Sequence, residues 1–225
     1  MFLIAVFPPL CLLLRRRAVV VPEAQADDTT GTDKPLGLTP NGLHGWLCCA
    51  GLACCIAMAV PQAHIVPHAS DLGHAARRGA EMLALMLFTG IISRLAFGWI
   101  SDRIGGLRTL LLGGSLQAVT LFCFMFAEGL GALYLMSALF GLSQGGIVPS
   151  YAIVVRRYFV PGQAGWRISL VLSVTLLGMA LGAWVAGLLY DLIGSYRLAF
   201  INAVVINILH MAIAWWLLRR ARQGL

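Results

Sequence analysis

Charge is what this sequence has least of. Charged residues make up 11% of the 225 positions and hydrophobic residues 60%, with a mean hydropathy of +0.86. A soluble domain carries about 25% charged residues. The polar surface here is too small to coat a globule, so lipid must be the solvent for much of the chain. The charge that is present sums to +7, yet no aromatic-basic patch or nucleic-acid motif accompanies it, which argues against a nucleic-acid partner. Metal-ligand spacing is missing too. Cys48, Cys49, Cys54 and Cys55 sit in one apolar run, Cys123 in another and Cys11 near the start. No second C-x2-4-C pair or histidine pair matches them, so they read as small residues packed between helices. No metal and no cofactor is implied.

The N-terminus lacks the order of a signal peptide, which places positive charge before its apolar core. Here MFLIAVFPPLCLLL precedes Arg15, Arg16 and Arg17. As a helix these fourteen residues would reach only ~21 Å, short for a span, and Pro8 and Pro9 disfavour a straight helix. Residues 1–17 are expected to be the end of a transmembrane helix whose beginning is missing, as in a truncated product or a misassigned start. An interfacial anchor is the alternative. Residues 18–43 gain Pro, Gly, Thr and Asp and read as a polar linker.

What is there in abundance is apolar length. A span needs ~20 mostly apolar residues to cross ~30 Å of hydrocarbon. Six runs qualify, at about 44–67, 79–100, 109–127, 131–155, 166–189 and 197–218. The expected fold is all-α and polytopic, a six-helix bundle over 44–218 with a tail at 219–225. Basic residues then set the orientation. Arg15–Arg17, Lys34, Arg103, Arg108, Arg156, Arg157, Arg167, Arg219, Arg220 and Arg222 share one side, against Arg77, Arg78 and Arg197 on the other. This bias places the linker and the C-terminus in the cytoplasm.

Between the second and third spans lies FGWISDRIGGLR. Asp102 can accept from a helix N-terminus, where its charge suits the dipole. Gly98 allows close helix approach, while Gly105 and Gly106 permit a tight turn. The stretch resembles the cytoplasmic loop signature of the major facilitator superfamily, G-x-x-x-D-R/K-x-G-R-R/K. Gly98, Asp102, Arg103, Gly105 and Arg108 occupy its positions, with Gly106 and Leu107 where basic residues are more usual. VPQAHIVPHASDLG (60–73), SRLAFGWISDR (93–103), RRYFVPGQAGWR (156–167) and GLLYDLIGSYRLAF (187–200) are similar to the C-terminal half of its monocarboxylate-porter-like bacterial members. The resemblance implies twelve helices in two six-helix halves, of which this chain would supply the second. It implies alternating access in a cell (inner) membrane, a small anionic substrate and a 98–108 loop that latches the cytoplasmic side. The other half would be a missing N-terminal partner or a second copy of this chain.

Candidate binding residues lie inside the spans. Arg94 is a cation within an apolar helix, which suits a water-filled cavity and a carboxylate ligand. It also lies only ~9 Å from the expected helix end, within reach of snorkelling. Carboxylate porters of animals commonly carry an aspartate one turn earlier, where this chain has Gly90, so the resemblance leaves proton coupling there in doubt. Gln62 and His64 flank Pro61 and precede Pro67, prolines that could free carbonyls at a binding helix. His64 could couple protons or be an interfacial residue. Gln144 and Tyr151 could contact substrate or join helices. GLSQG (141–145) and GMALG (178–182) read as close-packing pairs. GLSQG is also G-x-S-x-G, followed by Asp191 and His210, so an intramembrane serine protease using Ser143 and His210 is the enzyme alternative. A non-transporting scaffold or partner subunit is the other.

Overall fold

The structure is a computed structural model that describes residues 35–223. The expected N-terminal helix fragment and most of the linker therefore lie outside the described residues, as do Gly224 and Leu225 at the end of the expected tail. A single 3-10 turn at Pro35–Gly37 precedes α1 (Pro40–Asp71). There follow α2 (Ala76–Ile104), α3 (Gly106–Phe124), α4 (Leu130–Gln144), α5 (Ile147–Tyr158), α6 (Pro161–Ile193) and α7 (Tyr196–Gln223). No strand occurs among the described residues. Counting α4 and α5 as one interrupted element, six helical stretches are long and apolar enough to cross a membrane.

The helices run past the apolar runs that announce them. α1 begins at Pro40 rather than at residue 44 and ends at Asp71 rather than at 67. Thr39 caps it by accepting from the Gly42 N–H at 3.2 Å, and Pro40 in the first turn loses no intrahelical bond. Pro61 and Pro67 lie inside α1 without ending it, although each lacks the N–H that would pair with the carbonyl four residues earlier. A helix can continue through proline when neighbouring helices support it. α7 continues to Gln223, so most of the expected tail is helical.

Small residues set how closely the helices approach. A methyl group built on Gly141 would overlap the Thr89 side chain and the Met86 carbonyl, and one on Gly145 would overlap the Gly90 carbonyl, so α4 lies directly on α2. Likewise a methyl on Gly178 would stand 2.8 Å from the Leu52 carbonyl, and one on Gly182 would overlap Ile56, pressing α6 onto α1. In lipid, where no hydrophobic force drives helices together, such contact is a main source of cohesion. Polar groups inside the bundle mostly find partners, as hydrocarbon demands. Asn207 donates to the Gly114 carbonyl at 2.9 Å, Ser93 to the Leu142 carbonyl at 2.6 Å and Gln117 to the Cys54 carbonyl at 3.4 Å. Of the cysteines, Cys54 and Cys55 are buried and Cys48 and Cys123 half-buried, but Cys49 is exposed. Large apolar side chains cover the outside instead, Leu95, Leu176 and Leu192 among them, as expected where the surroundings are lipid or another bundle.

Candidate functional site: a cleft at Arg94

The sequence of α2 places Gly90 and Arg94 one turn apart, and therefore on one face. That face meets Gln62 and Met58 of α1 and the α4–α5 junction, bordering a small open cleft of about 60 Å³. Its lining includes Arg94, Gln62, Gln144, Gly145 and Val148. The glycines explain why the floor exists: Gly90 faces Gly141 and Gly145, so the two helices approach closely enough for Arg94 and Gln144 to share one wall. The α4–α5 break at Gly145 and Gly146 serves the same end, because a side chain on Gly146 would overlap Phe97.

Gln62 donates from Nε2 to Gln144 Oε1 at 2.5 Å. Whichever amide donates, three of the pair's four N–H groups remain. Arg94 is exposed and takes part in neither of the ion pairs found among the described residues, Arg77–Glu81 and Arg78–Glu81. The cleft thus offers the five guanidinium donors of Arg94 beside free amide donors, with no carboxylate in its lining. Such a set suits an anion. α2 continues to Ile104, so ten residues, about 15 Å at ~1.5 Å per residue, separate Arg94 from the helix end. The last turn carries Asp102 and Arg103 and belongs to the interface, so the long Arg94 side chain can line the cleft and still lean toward that end.

Three other candidates lie elsewhere. His64 is two residues from Gln62, about 200° around a helix. Its Nε2 donates to the Ala183 carbonyl of α6 at 2.9 Å, and its ring sits 5.3 Å from that of Tyr196 on α7. Tyr151 is fully buried, with its hydroxyl 3.1 Å from His210 Nδ1, which is also 3.1 Å from the Ala50 carbonyl. Ser143 donates to the Phe140 carbonyl at 2.7 Å and lies 3.4 Å from the Thr120 hydroxyl. Ser143 and His210 therefore have separate partners and form no dyad. Sequence reasoning missed Met58 and Val148, although Val148 lies one turn after Gln144 and could have been found by that spacing.

At the Arg-rich end of the bundle, Gly105 closes the last turn of α2. Its φ of +85° is a conformation other residues rarely adopt, and its N–H donates to the Ser101 carbonyl at 2.9 Å. Gly106 acts by packing and not by its turn conformation, since a methyl there would stand 2.7 Å from Val154. Arg103 stacks 4.1 Å from the Trp99 ring, and Arg108 is exposed. Two residues of the motif find no counterpart within this bundle among the described residues. A methyl on Gly98 would meet nothing within 4 Å, so no helix of this bundle uses that glycine. Asp102 is exposed in the last turn of α2 and caps no helix among the described residues, α3 having no side-chain cap. A carboxylate at a helix C-terminus opposes the dipole, so within this bundle Asp102 is a small cost with no return.

Residues 45–224 match the family model of the Major Facilitator Superfamily. The chain belongs to that superfamily. Among characterised relatives it is similar to monocarboxylate transporter 13 of Rattus norvegicus, 29% identical over 126 residues, covering 55% of this chain and 29% of that protein. It is also similar to probable anion transporter 5 of Arabidopsis thaliana, 33% identical over 105 residues, covering 45% and 24% respectively. Multidrug resistance protein MdtG of Proteus mirabilis (strain HI4320) is 27% identical over 135 residues, covering 56% and 33%. The match thus spans a third or less of the length of each of these relatives. Membership in this superfamily of transporters points away from the enzyme alternative, in keeping with the separate partners of Ser143 and His210. It is also consistent with a six-helix bundle whose charged ends alternate with apolar spans.

Proposed function

We propose that this chain is the C-terminal half of a secondary transporter, that it moves a small carboxylate-type anion by alternating access, and that the anion binds at Arg94. The observation that carries the reading is the convergence of Arg94, Gln62 and Gln144 on one cleft between membrane-spanning helices. A guanidinium facing hydrocarbon costs at least ~2.5 kcal/mol at mid-span, so a wet cleft that receives an anion gives it a use. The carboxylate would lie across the fork of Arg94, and an amide N–H of the glutamine pair would take a second oxygen. Met58, Leu87 and Val148 would meet a short apolar tail.

Halves of this fold are related by an axis along the membrane normal. A second bundle, whether an N-terminal half or a second copy, would close the open side of the cleft. Gly98 and Asp102 face outward at the Arg-rich end with no partner of their own among the described residues. They would meet that second bundle when the end closes, and the positive-inside bias puts this end in the cytoplasm.

Binding of labelled lactate to the purified full-length chain tests the reading. Saturable binding is expected, displaced by other small carboxylates but not by the uncharged lactamide. Competition by lactamide as strong as by unlabelled lactate would contradict an anion site.

A further inference from the structure

The Arg-rich end of the bundle carries Arg103, Arg108, Arg156, Arg157, Arg167, Arg219, Arg220 and Arg222, against Asp102 as the carboxylate described there, and none of these is in an ion pair among the described residues. Most of this charge is dispersed. Arg167 is unavailable to a ligand, being 3% exposed. It donates to Asn41 and to Gln163, at 3.1 Å in each case, and lies 4.4 Å from the Phe159 ring.

One corner differs. Where α1 meets the end of α7, the rings of Trp46 and Trp216 stand 5.1 Å apart. The Arg220 guanidinium lies 4.6 Å from the Trp216 ring, and that of Arg219 lies 3.5 Å from the Trp215 ring. Stacking on an indole occupies the face of a guanidinium and leaves its N–H edge free. Neither arginine donates a hydrogen bond to any described group. The two residues are consecutive and so point about 100° apart around α7. Each fork is held over its own indole, on either side of a corner whose platforms are partly open, Trp46 being 42% and Trp215 48% exposed.

Beneath Arg219 the surface is greasy. Arg219, Trp215, Ala212, Ile208 and Val205 fall at helical spacing on one face of α7, and all are exposed. From Arg219 to Val205 is fourteen residues, about 21 Å at ~1.5 Å per residue, close to one leaflet of a ~30 Å core plus its headgroup layer. A charged head above an apolar strip of leaflet depth has the shape of a phospholipid.

We propose that this α1–α7 corner is a binding site for an anionic phospholipid. The headgroup phosphate would accept from the N–H edges of Arg219 and Arg220, and one acyl chain would lie along Trp215, Ile208 and Val205. The continuous apolar strip favours a lipid over a free phosphate, which would gain nothing from it. Basic clusters at this side of a membrane recruit such lipids through charge, and the tryptophan platforms localise that attraction here. The site is on the opposite face of α1 from Gln62 and is independent of the transported solute.

Thermal unfolding of the full chain in neutral detergent provides the test, with three additives: phosphatidylglycerol, phosphatidylcholine of the same chains, and inorganic phosphate. At a large excess over its dissociation constant, phosphatidylglycerol should raise the midpoint by roughly 5 °C or more, and the other two should not. Arg219→Gln with Arg220→Gln should remove the rise, whereas Arg156→Gln with Arg157→Gln, the same loss of charge at the same end, should keep it. If the first pair folds poorly, Arg219→Lys with Arg220→Lys keeps the charge and should lose more than half of the rise with the planar fork. Equal rises with phosphatidylcholine, an equal effect of phosphate alone, or equal losses in the two glutamine pairs would each overturn the proposal.

Discussion

Replacing Arg94 by glutamine separates a ligand-binding arginine from a structural one. The side chain makes no ion pair among the described residues, so its removal breaks nothing within the bundle. Two hydrogen bonds from a guanidinium to a carboxylate are worth about 1.5–3 kcal/mol each. Glutamine can restore one neutral bond of about 1 kcal/mol. The net loss is then about 2–5 kcal/mol, and at ~1.4 kcal/mol per decade lactate binding should weaken by about 30-fold to more than 1,000-fold. Arg94→Lys should fall between, because it keeps the charge and loses the fork. Gln144→Leu removes a neutral donor worth about 1 kcal/mol and should cost about fivefold. Equilibrium binding of labelled lactate to each purified variant gives the affinities, and thermal unfolding gives the second readout. Stability of the Arg94→Gln bundle should hold or rise, since an unpaired charge within a membrane span has been removed. Unchanged lactate affinity, or a midpoint that falls as affinity falls, would refute the assignment of Arg94 to ligand.

Four further outcomes follow from the packing, the loop and the surroundings of Ser143. Gly141→Val forces a side chain into the Met86 carbonyl and should destabilise the bundle by about 1–3 kcal/mol or more. Gly98→Ala meets nothing and should leave the thermal midpoint unchanged or slightly higher, helix propensity favouring alanine by about 1 kcal/mol; a clear loss would mean that a helix of this chain packs there. Asp102→Asn should likewise not destabilise, because it removes a charge that opposes the α2 dipole without breaking a bond; a fall of several degrees would reveal a partner within the chain. A fluorophosphonate serine probe should leave Ser143 unmodified, and its labelling would revive the protease alternative.

The bundle was legible in the sequence because a bilayer imposes one length on every span and leaves each as an uninterrupted apolar run. The ends were less so. Helices extend past the hydrocarbon into the interface, where Asn41, Asp71 and Asp102 are tolerated, and an apolar count stops too early. The interruption at Gly145 and Gly146 was hidden for the opposite reason, since two glycines in an apolar run look like packing residues and here are both. At the candidate site, Arg94 was visible because a charge in a span needs an explanation wherever it faces. Gln62 and Gln144 were equally visible as polar residues, but their meeting depends on how α1 and α4 are rotated. That rotation sends His64 to α6 and α7 and turns Tyr151 inward to His210, and single-residue chemistry does not encode it. The 200° between residues 62 and 64 could have excluded a shared cleft in advance. Gly98 and Asp102 show another limit: a motif can be recognised by spacing although its physical counterpart is not among the residues described.

The central claim is that the Arg94 cleft is a water-filled anion site. A single cysteine at Val148, in a chain whose six native cysteines have been replaced, tests it directly. A membrane-impermeant thiol reagent should modify Val148→Cys in reconstituted vesicles. Lactate should slow that reaction, lactamide should not, and the protection should vanish when Arg94 is glutamine. An unreactive cysteine, or a rate indifferent to lactate and to Arg94, would contradict the account.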